Sequence, residues 1–186
     1  MKPRKKSAPI PSAAERELAE PIRILGGDLR NRIIPFSVDA RTRPMKGRVR
    51  KAVFDLLQDD VDSRVAIDLF AGTGALGLEA LSRGANRAIL IERHFPSAEA
   101  IRRIAAEWEI GELVTVVAAD AFHWIAHDSP RESQEPWLLF CSPPYDFYVD
   151  RIADMLALWN HFRRLAPPGS VAVVESDERF DFAALG

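Results

Sequence analysis

One cysteine is all that this 186-residue chain contains, and no apolar run in it approaches the length of a membrane span. A single thiol, Cys141, excludes any disulfide framework within the chain and suits a reducing compartment, so the expected location is cytoplasmic. Without a long apolar run there is no candidate membrane helix, and no membrane partner is expected. The opening stretch, MKPRKKSAPIPSAAERELAEP, is basic and proline-rich but lacks the apolar centre of a secretion signal. It reads as a disordered tail over residues 1–21.

What the chain does have is 47% hydrophobic and 28% charged residues, the balance of a soluble globular protein. The length suffices for one domain with a sizeable core and a small appendage. Its net charge of −2 conceals an asymmetry. Residues 1–50 carry 13 Lys/Arg against 5 Asp/Glu, whereas residues 51–186 carry 12 against 22. A basic N-terminal third on an acidic body suggests a local patch for a polyanion, with a solvated tail as the plainer alternative.

No internal repeat is evident. IRILGG (22–27) and NRIIPF (31–36) are short β-like runs suited to a hairpin. Pro44 is placed to open a helix, and residues 46–58 have helical spacing. Val49, Ala52, Val53, Leu56 and Leu57 predict its apolar face, leaving Arg48, Arg50 and Lys51 for solvent or ligand. Thereafter strands alternate with helices. The strands are RVAIDLF (64–70), RAILIE (87–92), LVTVVAA (113–119), WLLFC (137–141) and SVAVVES (170–176). The helices are 75–84, 96–108, 121–127 and 147–165, the last with Val149, Ile152, Ala153, Leu156 and Trp159 on one face. This alternation predicts an α/β fold, a doubly wound and mostly parallel sheet covered on both sides. The expected organisation is a tail (1–21), a hairpin-and-helix appendage (22–58) and a core (62–186). Either the sheet ends at its fifth strand or one or two edge strands are missing.

DLFAGTGALG (68–77) places Gly72, Gly74 and Gly77 in a G-x-G-x-x-G pattern directly after a strand and opening a helix. Glycines there allow a tight turn and close approach of backbone to a ligand. Glu92 ends the next strand, where an acid can accept from both hydroxyls of a ribose. Asp68 precedes the glycines. A carboxylate there would repel a pyrophosphate but attract the ammonium and sulfonium of S-adenosylmethionine. Asp120, after the third strand, suits an adenine amino group, a helix N-cap, or both.

The fourth strand ends abruptly in SPPY (142–145). Two prolines stop a buried strand and stiffen the backbone. The Ser142 hydroxyl and the carbonyl of Ser142 or Pro143 can hold a planar exocyclic amino group, with the Tyr145 ring stacked on its base. Such a nitrogen is a poor nucleophile, so holding it in line with a methyl sulfonium would be most of the catalysis. His123 and His127 lie four apart on a helix without a third ligand nearby, and no metal is expected.

The stretches DLFAGTGALGLEALSRGA (68–85) and SPPY resemble S-adenosylmethionine-dependent methyltransferases with an [Asp/Asn/Ser]-Pro-Pro-aromatic signature. RILGGDLRNRIIPF (23–36) and RTRPMKGRVRKAVFDLL (41–57) narrow this. Together they resemble the bacterial small-subunit (16S) ribosomal RNA guanine 2-amino methyltransferases, the RsmD-like family, from Ile22 to Glu175. The resemblance implies methyl transfer to a guanine 2-amino group, on RNA free or within a small ribosomal subunit; a monomer is the default expectation. It implies a cofactor site of Asp68, Phe70, Gly72, Gly74, Glu92, Arg93, Asp120 and Ala121. Ser142, Pro143, Pro144 and Tyr145 would form the catalytic turn. Arg41, Arg43, Arg48 and Arg50 would meet RNA phosphates. The chain departs from the family pattern at Ser142, where Asp is usual, at Gly47 and Lys51, and near Ile104–Ala105. A serine can hydrogen-bond an amino group but cannot take its proton at neutral pH. Two other readings stay open: a methyltransferase for another planar amino group (adenine or glutamine), and a non-catalytic RNA-binding assembly factor.

Overall fold

The computed structural model describes residues 21–35, 45–129 and 134–185. The expected tail, Arg41, Arg43 and the helix-opening Pro44 lie outside them. Five parallel strands form the sheet: β3 (Val65–Asp68), β4 (Arg87–Ile91), β5 (Val114–Val117), β6 (Trp137–Cys141) and β7 (Val171–Val174). Their order is β5-β4-β3-β6-β7, so the winding reverses between β3 and β6. A separate antiparallel pair, β1 (Ile22–Arg23) and β2 (Ile33–Ile34), makes the N-terminal hairpin. Helix α1 (Gly47–Leu57) follows it. Between the sheet strands run α2 (Ala75–Ser82), α3 (Phe95–Glu107), α4 (Ala121–His127), α5 (Phe147–Asp150) and α6 (Ile152–Leu165).

The central strands are apolar on both faces because both faces are covered. Alternation sends Ala66, Leu90, Leu138 and Phe140 to one face, where they pack with the hairpin, α1, α2 and α3. Val65, Ile67, Leu139 and Cys141 go to the other, against α4, α5 and α6. Local signals set the helix ends. Asp120 caps α4 by accepting from the backbone N–H of Phe122 and His123. Pro96 occupies the first turn of α3. Pro167 and Pro168 follow directly on α6 and forbid its continuation.

Two helix faces differ from the sequence expectation. In α1 the buried residues are Arg50, Phe54 and Leu57, while Leu56 is 85% exposed. Phe54 packs tilted against Phe140 with ring centroids 5.8 Å apart, and Arg50 is 2% exposed beside Glu79, so Arg50 does not stand on the solvent face. Aliphatic periodicity counts apolar positions but cannot see a buried carboxylate waiting for a cation. The expected helix 147–165 is broken at Arg151 into α5 and α6. Its buried face is Tyr148, Met155, Leu158, Trp159 and Phe162; Val149 and Ile152 are exposed.

Helix α2 also carries the appendage. Glu79, fully buried, accepts from the backbone N–H of Leu25 and Gly26 at 2.8 and 2.9 Å and from Arg83 Nε at 2.8 Å. Arg50 Nε lies 3.5 Å away, and Arg50 also donates to the Arg23 carbonyl. Ser82 Oγ accepts from the Leu29 N–H and donates to the Gly26 carbonyl. Gly27, at φ +73°, leaves no room for a side chain: a Cβ would meet the Ser82 carbonyl oxygen at 1.6 Å. The hairpin and the glycine loop thus hang on opposite ends of one helix.

Candidate active site

Every strand of the parallel sheet ends in, or is soon followed by, a polar residue: Asp68, Glu92, Asp120, Ser142 and Glu175. In an open parallel sheet, ligands sit beyond the carboxyl ends of the strands where the winding reverses. Here that point lies between β3 and β6, where Asp68 pairs with Phe140 in register. The glycine loop and the SPPY turn, far apart in sequence, therefore meet.

The glycine loop has the backbone that its composition demands. Gly72 and Gly74 have φ of +54° and +78°, a region that L side chains rarely adopt. Gly77 brings α2 down onto β4, since a Cβ there would lie 2.1 Å from a Leu90 methyl. Glu92 braces the loop. One carboxylate oxygen accepts from the Gly72 N–H at 2.8 Å and the other from the His94 N–H at 2.7 Å. Each oxygen retains capacity for a further donor, as a ribose would supply.

Asp68 is 1% exposed and its Oδ1 has no hydrogen-bond partner. Burial pushes its carboxyl up from the ordinary aspartate value to about 7. Backbone N–H groups of Gly77 and Phe70 oppose that rise, and the charge of Glu92 adds to it. A buried, unpartnered carboxylate oxygen is costly unless something else meets it. A cationic ligand in the glycine cradle would do so, and the donor set fits S-adenosylmethionine.

Phe70, Phe122 and Phe147 form a ring cluster with centroids about 6 Å apart (5.9, 6.1 and 6.0 Å). Arg151 lies over Phe122 and Phe147 at 4.1 and 5.0 Å and approaches Asp120 at 3.7 Å. Arg93 is exposed and lies over the Phe147 ring at 5.7 Å. Ala121 is buried beneath them. Phe122, Phe147 and Arg151 went unnoticed in the sequence; only their closeness to Asp120 and SPPY could have flagged them.

The SPPY turn is tied down on several sides. The Pro144 carbonyl accepts from the Phe147 N–H at 2.8 Å, which starts α5. Pro143 is buried, Ser142 half-buried and Tyr145 41% exposed. The Tyr145 hydroxyl donates to Glu175 Oε1 at 2.8 Å, and the Tyr148 hydroxyl donates to the Glu175 carbonyl at 3.0 Å. Cys141, just before the turn, is buried, with its thiol pushed up to about 12 by burial, and is no nucleophile. His123 and His127 stack at 4.4 Å, and among the described residues no group of three or more His, Cys, Asp or Glu could hold a metal.

Of the four arginines expected to meet RNA, Arg48 is exposed on α1. Arg50 is a correction: its guanidinium is buried between Glu79 and the Arg23 carbonyl, so it holds the appendage and does not face a ligand. Arg41 and Arg43 fall outside the described residues.

A parallel sheet of this order, a glycine cradle under an unpartnered acid, and a Pro-Pro-aromatic turn beside it define a Rossmann-like methyltransferase. The family described as "Conserved hypothetical protein 95" matches residues 22–184, and the chain belongs to that family. The chain is 35% identical over 124 residues to ribosomal RNA small subunit methyltransferase D of Escherichia coli strain K12. That match takes in 67% of this chain and 60% of the E. coli protein's length. It is 26% identical to the protein of the same name from Haemophilus influenzae, over 84% of this chain and 79% of that protein. A hypothetical protein of Thermus thermophilus, TTHA0928, superposes with a TM-score of 0.67 at 27% identity, covering 87% of this chain and 89% of that one. Among the described residues no helix is long and apolar enough to cross a membrane.

Proposed function

We propose that this enzyme transfers a methyl group from S-adenosylmethionine to the exocyclic 2-amino group of a guanine in small-subunit ribosomal RNA. One observation carries the reading. The register of β3 on β6 sets the Asp68 carboxylate, whose Oδ1 has no partner, beside the strand that leads into Ser142–Tyr145. An anionic pocket for a methyl sulfonium donor and a proline-stiffened turn for a planar amino group then share one sheet edge. The names of the relatives favour ribosomal RNA over DNA or protein.

In this reading Asp68, Gly72, Gly74 and Glu92 hold the cofactor's amino-acid and ribose parts, with Phe70, Arg93, Asp120 and Ala121 around its adenine. The cofactor supplies an electrophilic methyl group. The chain supplies the rest: Ser142 and the turn carbonyls accept from the guanine amino group and aim its nitrogen, and Tyr145 stacks on the base. The guanine must leave its stack for the methyl to reach it. Arg48, with Arg41 and Arg43, grips phosphates on the appendage side. The substrate is RNA free or in a partly assembled subunit, the enzyme acts as a monomer, and it works in the cytoplasm.

The test is methyl transfer from radiolabelled S-adenosylmethionine to small ribosomal subunits from a strain lacking this protein, with free RNA and DNA alongside. Label in 2-methylguanosine is expected. Label in methyladenine or in protein would move the substrate. No label, with calorimetric cofactor binding intact, would favour a binding factor without turnover.

A further inference from the structure

The family pattern usually places an acid at the first position of the Pro-Pro turn, but this chain has Ser142 there. The methylated nitrogen must still lose a proton, and serine cannot take it at neutral pH. Among the described residues, Glu175 is a carboxylate held against that turn. Cys141 and Val174 are register partners, and the Glu175 N–H donates to the Cys141 carbonyl at 2.9 Å. Ser142 and Glu175 are therefore the residues that follow one register pair, on neighbouring strands whose spacing is about 4.8 Å. Alternation points the two alike: Phe140 and Val173 line the face that carries α1 and α2, and Ser142 and Glu175 are the next residues of that parity. Asp68, register partner of Phe140, lies on that same face, near Gly77 of α2.

Glu175 is also aimed. Its Oε1 accepts from the Tyr145 hydroxyl at 2.8 Å, which orients the carboxylate toward the turn and fixes the ring that would stack on the base. The surrounding ionisable groups are Tyr145 and Tyr148, the buried Cys141 and Asp68, and an ion cluster of Asp146, Asp177 and Arg179 on the solvent side.

We propose that Glu175 is a catalytic residue, the carboxylate that receives the amino-group proton in place of the acid missing at position 142. This rests on the reading of the site as a guanine amino methyltransferase. As the nitrogen lone pair forms the new N–C bond, the donor's C–S bond breaks and its electron pair stays on sulfur. The nitrogen, now positively charged, gives one proton to Glu175, leaving a neutral methylamino group and a protonated carboxyl that later returns the proton to water. Before the proton moves, the carboxylate charge favours the developing positive nitrogen.

The experiment measures kcat and KM for small ribosomal subunits, cofactor affinity by calorimetry, and melting temperature, on wild type and three variants. Glu175→Gln keeps shape and the tyrosine contact but cannot take a proton. It is expected to lower kcat about 100-fold, the usual size of a general-base contribution, with KM, cofactor affinity and melting temperature nearly unchanged. Ser142→Asp in the Glu175→Gln background is expected to recover at least about tenfold in kcat, which a merely structural role would not allow. Tyr145→Phe, which leaves the carboxylate in place, should lose less than about tenfold.

A kcat for Glu175→Gln close to wild type, or no recovery with Ser142→Asp, overturns the proposal. So does a loss of more than about tenfold in Tyr145→Phe, a result that does not depend on how well the Gln variant folds. If wild type itself puts no methyl on guanine, the preceding reading fails and takes this one with it. Wild-type activity with an active Gln variant refutes only the role of Glu175.

Discussion

Replacing Glu79 by alanine should unlatch the N-terminal appendage, and the structure sets the scale. The carboxylate is fully buried and collects the Leu25 and Gly26 amides, Arg83 Nε and the Arg50 guanidinium. Burial pulls the Arg50 pKa down, and Glu79 is what opposes it. Removing one partner of a buried pair leaves the other charge uncompensated, at about 3–5 kcal/mol. The two amides are half-exposed and regain water, so they add little. For a protein of this size each kcal/mol lowers the melting temperature by about 2–4 °C, so Glu79→Ala should lose about 6–20 °C. Thermal unfolding followed by circular dichroism measures this. Amide exchange at Leu25, Gly26 and Asp28 should accelerate selectively. The double variant Arg50→Met/Glu79→Gln removes both charges and keeps an acceptor for an amide, so it should melt well above Glu79→Ala. A Glu79→Ala loss of less than about 3 °C, or a double variant no better than the single, would refute the latch.

Three further outcomes are expected. Asp68 titrates near 7 in the folded protein and near 3.8 as its ordinary value. Between those values the ligand-free native state holds a proton that the unfolded chain has lost. Its stability contribution therefore falls as pH rises from about 4 to about 7 and is flat outside that window. Affinity for S-adenosylmethionine should rise with pH up to about 7 and level off, and Asp68→Asn should flatten both curves, as calorimetry and pH-dependent unfolding would show. Gly27→Ala should open the hairpin from α2, because its Cβ would strike the Ser82 carbonyl; exchange at Asp28 and Leu29 would report it without disturbing the β6 amides. Arg48→Ala should weaken RNA binding and reduce the slope of log K against log salt by about 0.7–0.9 at constant melting temperature. Arg50→Ala should instead lower the melting temperature.

The alternation of apolar runs with helical spacing was enough to place all five parallel strands, because strands buried on both faces must be apolar throughout. WLLFC and AFHWIAH matched their elements at both ends. The glycine loop was legible for a similar reason: a tight turn after a strand needs glycine where φ is positive, as at Gly72 and Gly74, and Glu92 at the end of the next strand braces it. Pairings across the fold were not legible. Arg50 has the composition of an RNA contact and the surroundings of a core ion pair, and only the docking of α1 on α2 distinguishes them. The apolar side of α1 was misread for the same reason, since Phe54 and Arg50 found partners on Phe140 and Glu79 while Leu56 found none.

Glu175 closes the fifth apolar run much as Asp68 closes the first, yet nothing local distinguishes it from any acid after a strand. Its place beside the turn at Ser142 exists only once β7 has paired with β6. The sequence by itself determined which segments become strands and helices, since local backbone preference and hydrophobic period act within a few residues. The tertiary structure alone decided which charged groups are buried together and which carboxylate faces the turn, because those depend on residues brought together from 29 to 33 positions apart.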